Sequence, residues 1–205
     1  MKRRTISFIA VLSVLLLWGC YPGGAEYAED LDVVVTHHNP EYNFAAKATY
    51  AMPDSIVRIT GDIQEDDDPV FIPNAIATVI LGIIEDNMEN LGWTRVDIDE
   101  NPDLMLTPAS WETTTIYYYY DYWYWWYGYY PGYGWPYYPP VYVSSYTTGS
   151  LMMNLMDKNE LSANGHPIAQ WTGLLNGIMT EEFDQARFTD LIDQAFEQSG
   201  YLSTN

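Results

Sequence analysis

The carboxylates that could perform acid–base or metal chemistry are concentrated in residues 97–103, DIDENPD. Asp97, Asp99 and Asp103 could supply the general acid and general base of a hydrolase. Their alternation also matches the start of a calcium-binding loop, but Pro102 stands where that loop requires glycine. We therefore interpret the stretch as an acidic solvated loop and predict no metal site and no cofactor. Hydrolysis by these carboxylates is kept as an alternative function.

The histidines and the nucleophile motifs add no catalytic centre. His37 and His38 are adjacent at the end of a predicted strand, so their side chains should point to opposite faces of it. His166 stands beside Pro167 in a predicted turn. The sequence contains no Gly-x-Ser-x-Gly motif and no glycine-rich loop that ends in Gly-Lys-Ser or Gly-Lys-Thr. We therefore predict that the protein is not an enzyme.

The single cysteine, Cys20, follows a short basic and apolar segment. Lys2, Arg3 and Arg4 precede an apolar run at residues 6–18. As a helix this run would extend about 20 Å, whereas the hydrocarbon core of a bilayer is about 30 Å thick. The segment is therefore typical of a signal peptide and not of a permanent membrane span.

Gly19-Cys20 resembles the lipobox of bacterial lipoproteins, in which a diacylglycerol is attached to the cysteine sulfur and cleavage makes that cysteine the first residue. This resemblance implies a signal peptide at residues 1–19 and a lipid on Cys20, with palmitate among its acyl chains. The alternative is an ordinary secretory signal followed by an unmodified cysteine. Residues 20–30 read as a tether, and we expect the protein in the bacterial outer membrane, on its periplasmic face or at the cell surface.

The charge of the remaining chain excludes nucleic acid as a partner. Residues 20–205 contain all 28 acidic residues but five basic ones, which gives a formal charge of −23. Nucleic acids and anionic headgroups are bound by dense lysine and arginine, which this surface lacks. We expect attachment to the membrane through the lipid on Cys20.

The apolar patterns predict one α+β domain over residues 31–205. β-Branched and alternating runs predict strands, and three- and four-residue spacing predicts two helices. We predict a single mixed, largely antiparallel sheet with both helices packed on one face and the other face partly exposed to water. The predicted strands are 31–36, 47–51, 93–96, 103–107, 149–157 and 168–176, the last two forming a hairpin, and the predicted helices are 76–91 and 188–196.

An aromatic segment at residues 116–146 interrupts this domain. It contains fourteen tyrosines and four tryptophans with one charged residue, Asp121, and its glycines and prolines oppose helix and strand. An aromatic surface of this size indicates binding of a glycan or a partner protein, although a low-complexity insertion or contact with the lipid leaflet would also explain it. The candidate binding residues are Tyr122, Trp123, Trp125, Trp126, Tyr129, Tyr130 and Trp135.

Several short motifs outside this segment resemble the domain-of-unknown-function 4136 (DUF4136) family of envelope lipoproteins. They are DVVVT at 32–36, YNF at 42–44, KATY at 47–50, NPDL at 101–104, GSL at 149–151 and QWTG at 170–173. The resemblance spans about residues 31–200 and implies the fold and the location. It implies no activity, because the family has no assigned catalytic residues. We therefore predict a non-catalytic, lipid-anchored envelope protein that binds or scaffolds through the aromatic segment. The alternatives are an envelope hydrolase and a structural lipoprotein with an inert insertion.

Overall fold

The computed structural model describes residues 33–59, 69–111, 149–161, 167–176, 178 and 183–204. Residues Asp32–Asn205 form one compact unit. Within the described ranges this unit contains seven strands and two α-helices. The strands are β1 (Val33–His38), β2 (Thr49–Ala51), β3 (Val57–Ile59), β4 (Thr94–Arg95), β5 (Leu104–Trp111), β6 (Ser150–Leu161) and β7 (Pro167–Asn176), and the helices are α1 (Asn74–Asn90) and α2 (Gln185–Glu197).

The strands form one mixed sheet in the order β1-β7-β6-β5-β2-β4. The pairs β1–β7, β7–β6 and β6–β5 are antiparallel, whereas β2 pairs in parallel with β4 and with the first half of β5. Strand β3 pairs in parallel with the second half of β5, beyond β2. The predicted α+β class, the mixed sheet and the 149–176 hairpin are confirmed. Strand β3 was not predicted, because its three residues are too few to show alternation.

Both helices pack on one face of the sheet, as predicted. Ile80 and Ile84 of α1 are fully buried there, whereas Ile76 and Ile83 are partly buried against the same cluster. The helix ends before Gly92, whose φ of 93° suits a residue without a Cβ. At the start of α2, the Asp184 carboxylate accepts hydrogen bonds from the amides of Ala186 and Arg187. Trp171 of β7 is buried in this helix-side core and donates from Nε1 to Ser199 Oγ at 2.8 Å, which confirms its predicted core position.

The opposite face of the sheet, here called the outer face, is buried over its central strands. The prediction of a face partly exposed to water agrees with the edge strand β1, where Val33 and Val35 are exposed on this face. Ten apolar residues that are buried but lie outside the helix-side cluster occupy positions that pair with one another across the sheet. They are Ala51, Val57, Ile59, Met105, Ala109, Trp111, Met152, Met156, Ala169 and Leu174. The alternation of β6 therefore places apolar residues on both faces, Leu151, Met153 and Leu155 toward the helices and Met152 and Met156 away from them.

In the described ranges, no helix is long and apolar enough to span a membrane.

Candidate functional site

The predicted lipidation site and the candidate binding aromatics lie outside the described residues. Cys20, Tyr122, Trp123, Trp125, Trp126, Tyr129, Tyr130 and Trp135 all fall in this category. Lipidation and aromatic binding therefore stay predictions. What the structure describes is the base from which the aromatic segment starts and to which it returns.

That base is the paired end of β5 and β6. The Gly149 amide donates a hydrogen bond to the Trp111 carbonyl at 2.6 Å, and Trp111 lies opposite Ser150 in the strand register. Gly149 has a φ of 81°, a backbone conformation that residues with a Cβ rarely adopt. Ser150 Oγ donates to Asn176 Oδ1 at 2.8 Å, which joins the base to β7. Trp111 and Gly149, the described residues that flank 112–148, are therefore held side by side at the end of the central strands β5 and β6.

A row of buried polar side chains crosses the outer face beside this base. Thr172 Oγ1 on β7 donates to Asn154 Oδ1 on β6 at 2.7 Å, and Thr107 Oγ1 on β5 donates to the Asn154 carbonyl at 3.2 Å. All three residues are buried. The outer face is thus an apolar surface with one polar row, and hydrogen bonds between strands satisfy much of that row.

The three carboxylates considered for hydrolysis occupy a turn and a strand junction. Asp97 and Glu100 close a short 3-10 turn, in which the Asp97 amide donates to Glu100 Oε2 at 3.0 Å. Asp103 Oδ2 accepts hydrogen bonds from the amides of Ala48 and Thr49 at 2.9 and 3.0 Å and from Thr49 Oγ1 at 3.0 Å.

This bonding at Asp103 affects its ionisation. Burial alone would raise the pKa of Asp103, but the hydrogen bonds from Ala48 and Thr49 lower it below the usual value, which keeps the group ionised. Asp103 therefore joins β2 to the start of β5, and Asp99 on the turn has no described part in this junction. Among the described residues, no group of three or more His, Cys, Asp or Glu side chains is placed to hold a metal ion.

A buried carboxylate that the sequence analysis did not single out, Asp157, organises the opposite end of β6. Its Oδ2 accepts hydrogen bonds from Tyr42 Oη at 2.6 Å and from Lys47 Nζ at 2.7 Å. Its Oδ1 accepts from the Asn159 amide at 2.8 Å and from Asn159 Nδ2 at 3.0 Å. Because both oxygens are engaged, this carboxylate is a structural connection between β6 and residues 42–47.

The same contacts shift two ionisation equilibria in opposite directions. Burial would raise the pKa of Asp157, but the hydrogen bonds from Lys47, Tyr42 and the Asn159 amide lower it overall. Burial and the hydrogen bond to the Asp157 carboxylate raise the pKa of Tyr42 well above its usual value. The Asp157 carboxylate is therefore charged and the Tyr42 phenol neutral at physiological pH.

The described part of the chain also has an open acidic cleft of about 500 Å³ beside β4. At its wall, Arg95 donates from Nη1 to Glu85 at 2.8 Å and from Nη2 to Asp54 at 2.6 Å and to the Met52 carbonyl at 3.1 Å. Burial would lower the pKa of Arg95, but the two carboxylates raise it overall. Because both carboxylates already pair with Arg95, the cleft is best described as a salt-bridged junction between α1, β4 and residues 52–54.

Comparison with known proteins identifies the family. A family model for the domain of unknown function DUF4136 matches residues 34–200. The chain belongs to the DUF4136 family. The resemblance drawn from the short motifs of the sequence is thereby confirmed, and with it the fold. No curated protein matches this DUF4136 chain.

Solved structures of other proteins are similar to this chain to different degrees. A DUF4136 family protein from Bacteroides thetaiotaomicron is 26% identical, with a TM-score of 0.63 over 85% of this chain and 98% of that chain. A dodecameric PelC variant from Paraburkholderia phytofirmans is 13% identical, with a TM-score of 0.40 over 85% of this chain and 98% of that chain. A PDZ domain protein from Parabacteroides distasonis is 15% identical, with a TM-score of 0.38 over 84% of this chain and 35% of that chain. The last two similarities are too weak to support an argument about this chain.

Proposed function

We propose that this DUF4136 protein is a non-catalytic, lipid-anchored protein of the bacterial cell envelope that binds or scaffolds through residues 116–146. The observation that carries the proposal is the place of insertion. The segment lies within residues 112–148, which are flanked by Trp111, the last residue of β5, and by Gly149, directly before β6; Trp111 and Gly149 are joined by a backbone hydrogen bond. A segment fixed at the centre of a seven-stranded sheet has both ends positioned by a rigid framework, as is usual for binding loops.

The aromatic content of the segment and the net charge of the domain restrict the chemical class of the ligand. Tyrosine and tryptophan rings offer large flat faces at a low cost in side-chain entropy, which suits sugar rings and protein partners. The formal charge of −23 on residues 20–205 disfavours an anionic ligand. We therefore propose a neutral glycan or a neutral or basic envelope protein as the ligand.

The ionic junctions of the domain support a non-catalytic role. Asp103 and Asp157 each accept three or more hydrogen bonds within the fold, and Arg95 pairs with two carboxylates. These groups connect strands and loops, so they have a structural use without any substrate.

A pull-down from envelope extract and from cell-wall sacculi tests binding. The baits are residues 21–205 and a variant in which the seven candidate aromatics, Tyr122, Trp123, Trp125, Trp126, Tyr129, Tyr130 and Trp135, are replaced by serine. A matched variant carries leucine at the same seven positions, which keeps apolar side chains but removes the aromatic rings. We expect a ligand that is retained by the natural chain and lost from both variants. Equal retention by all three baits, or retention by none, would contradict the proposal.

The lipid anchor has a separate test. Cells that produce the full chain or the Cys20→Ala variant are labelled with radioactive palmitate and fractionated. We expect label in the natural chain, recovered with the outer membrane, and no label in the variant, because Cys20 is the single cysteine of the sequence. Label in the Cys20→Ala variant would contradict the lipobox prediction, and label recovered with the inner membrane would contradict the proposed location.

A further inference from the structure

We propose that a second cleft, between α1 and β4, binds a small alkylammonium ligand. This cleft is open, has a volume of about 340 Å³ and shares Glu85 and Arg95 with the acidic cleft described above. Tyr50, Glu89 and Trp93 also line it, and every lining residue is among the described ones. All of them lie outside residues 116–146, so occupation of this cleft does not require the function proposed for that segment.

The fold places Tyr50 below the last turns of α1. Tyr50 lies on β2, next to the edge strand β4, and its side chain belongs to the helix-side cluster. Glu85 and Glu89 are four residues apart on α1, so their side chains lie on the same side of the helix. Arg95 lies opposite Tyr50 in the strand register and donates to Glu85 Oε2 at 2.8 Å. The buried phenol therefore forms the floor of the cleft, and two carboxylates stand in one wall.

The hydroxyl of Tyr50 is the observation that indicates a ligand. Tyr50 is 1% exposed, and its Oη has no hydrogen-bond partner among the described residues. A buried polar group without a partner costs stability, and folded proteins contain few of them. The neighbouring Trp93 shows the usual situation, because its buried Nε1 donates to the Leu202 carbonyl at 2.8 Å. An unused hydroxyl at the floor of an open cleft therefore points to a group that binds there.

The charges around this hydroxyl favour a cation. Burial, together with the charges of Glu85 and Glu89, raises the pKa of Tyr50 above its usual value, although Arg95 lowers it. The phenol is therefore neutral at physiological pH, and its oxygen can accept a hydrogen bond. Arg95 already pairs with Glu85 and Asp54, whereas Glu89 forms no ion pair with any described residue. An anion would meet an excess of carboxylates here, and a cation would offset it.

An ammonium group fits these acceptors better than a metal ion does. It is compact and has three donors, which match Glu85, Glu89 and the Tyr50 oxygen. It would also offset the repulsion between two like charges one helical turn apart. Ca²⁺ and Mg²⁺ bind about six to eight oxygens, whereas this cleft offers a neutral phenol and two carboxylates, one of which is paired with Arg95.

The remaining walls leave space for an alkyl chain and a route of entry. Gly92 and Trp93 carry no charge, so they can border the apolar part of the ligand. The Tyr50 oxygen is closed to water, so a ligand reaches it when exposed side chains at the rim turn aside. Glu89 is exposed at this rim, and exposed side chains change rotamer within nanoseconds. We therefore expect fast binding that leaves the sheet unchanged.

Titration of the full chain with butylamine at pH 7 tests the site. Binding is followed by amide NMR spectra at about 0.15 M salt, which screens unspecific attraction between the acidic chain and a cation. Butan-1-ol, which has a hydroxyl in place of the ammonium group, is the neutral control. We expect saturable shifts at residues 89–95 with butylamine and none with butan-1-ol. Absence of saturable binding of butylamine, or tighter binding of Ca²⁺ at the same residues, would overturn the proposal.

Three variants locate the bound ammonium group. Glu89→Gln should raise the dissociation constant for butylamine about 10-fold, because it removes a charge-assisted hydrogen bond. Tyr50→Phe, which removes the hydroxyl alone, should raise it about 3- to 10-fold. Asp86→Asn removes an exposed carboxylate of α1 that lines neither cleft, so it should change the constant by less than about twofold. Equal weakening by Asp86→Asn, or unchanged binding to Tyr50→Phe, would overturn the proposal.

The thermal stability of Tyr50→Phe separates a ligand contact from a structural one. Because the hydroxyl has no described partner, its removal should leave the midpoint of thermal unfolding unchanged or raise it in the absence of amine. Butylamine should raise the midpoint of the natural chain and raise that of the variant less. A lower midpoint for the variant without amine would mean that the hydroxyl is bonded within the protein, and would overturn the proposal. None of these variants changes the seven candidate aromatics, so the pull-down result is independent of them.

Discussion

Asp157→Asn should destabilise the domain strongly, because this side chain is 2% exposed and both of its oxygens are in use. An asparagine keeps one carbonyl oxygen and turns an amide group, itself a donor, toward the remaining donors. If the oxygen faces Lys47 and Tyr42, then the new amide group faces the Asn159 amide, and two donors oppose each other. In the reverse orientation, the new amide group faces Lys47 and Tyr42, which are also donors. Removing one partner of a buried ion pair costs about 3–5 kcal/mol. Lys47 is 23% exposed and can partly turn to water, so we expect a loss of about 2–4 kcal/mol.

Urea unfolding followed by far-ultraviolet circular dichroism measures this loss. The matched control is Glu160→Gln three residues along the same strand, an exposed carboxylate that should change the free energy of unfolding by less than about 0.5 kcal/mol. Combining Asp157→Asn with Lys47→Met completes a double-mutant cycle and isolates the energy of the ion pair. A loss below about 1 kcal/mol for Asp157→Asn would refute the structural role assigned to this carboxylate.

The pH dependence provides a second check on the same group. The pKa of Asp157 is lowered in the folded state, so the folded state holds this proton less tightly than the unfolded chain does. Its contribution to stability is therefore fully present above the unfolded pKa of about 3.9 and is lost as the pH falls through the folded pKa. The difference between the natural chain and Asp157→Asn should be constant from about pH 5 to 7 and shrink below about pH 4. A difference that grows on acidification would contradict the lowered pKa.

Three further sites give predictions: two glycine substitutions with effects of opposite sign on stability, and an ion pair whose contribution depends on salt. Gly173→Ala should destabilise the domain by about 1–3 kcal/mol, because the added Cβ would lie 2.7 Å from Cη2 of Trp171. Gly82→Ala, within α1 with nothing inside 4 Å of its Cβ, should stabilise it by about 0.5–1 kcal/mol, and urea unfolding that gave the two changes the same sign would contradict the packing described. Arg95→Met should cost about 1 kcal/mol at low salt and less in 1 M NaCl, because its partner Glu85 is 41% exposed and so is screened; a loss independent of salt would contradict this ion-pair assignment.

The helices and the long strands were predictable because their patterns are local. The isoleucines of α1 recur at helical spacing, and the alternation around residues 149–157 and 168–176 identified β6 and β7. The short strands β3 and β4 offer two or three residues each, so their pairing with β5 and β2 depends on the whole fold. Alternation reveals which residues share a face but not what lies over that face.

The ionic junctions were less predictable than the fold. Asp103 was considered as a possible catalytic group because it lies in an acidic stretch. In the structure it accepts hydrogen bonds at the junction of β2 and β5. Asp157 was not considered as a site residue, because it follows an apolar run and its partner Lys47 is 110 residues away in sequence. One signal was available. Lys47 is one of five basic residues in residues 20–205, so each of them is a candidate for a specific ion pair.

The position of the aromatic segment between β5 and β6 has a consequence for the order of folding. Strands β6 and β7 are joined by residues 162–166, so their antiparallel pairing needs the closure of a short loop. Pairing β5 with β6 closes residues 112–148, which costs about 2 kcal/mol more in chain entropy for a flexible loop. Strand β1 pairs with β7 from the far end of the domain, where Asn39 and Gln170 meet across 131 residues. We therefore expect the β6–β7 hairpin to nucleate the sheet and β1 to join late. A chain that crosses a membrane N-terminus first would keep β1 without its partner until the C-terminal third had followed.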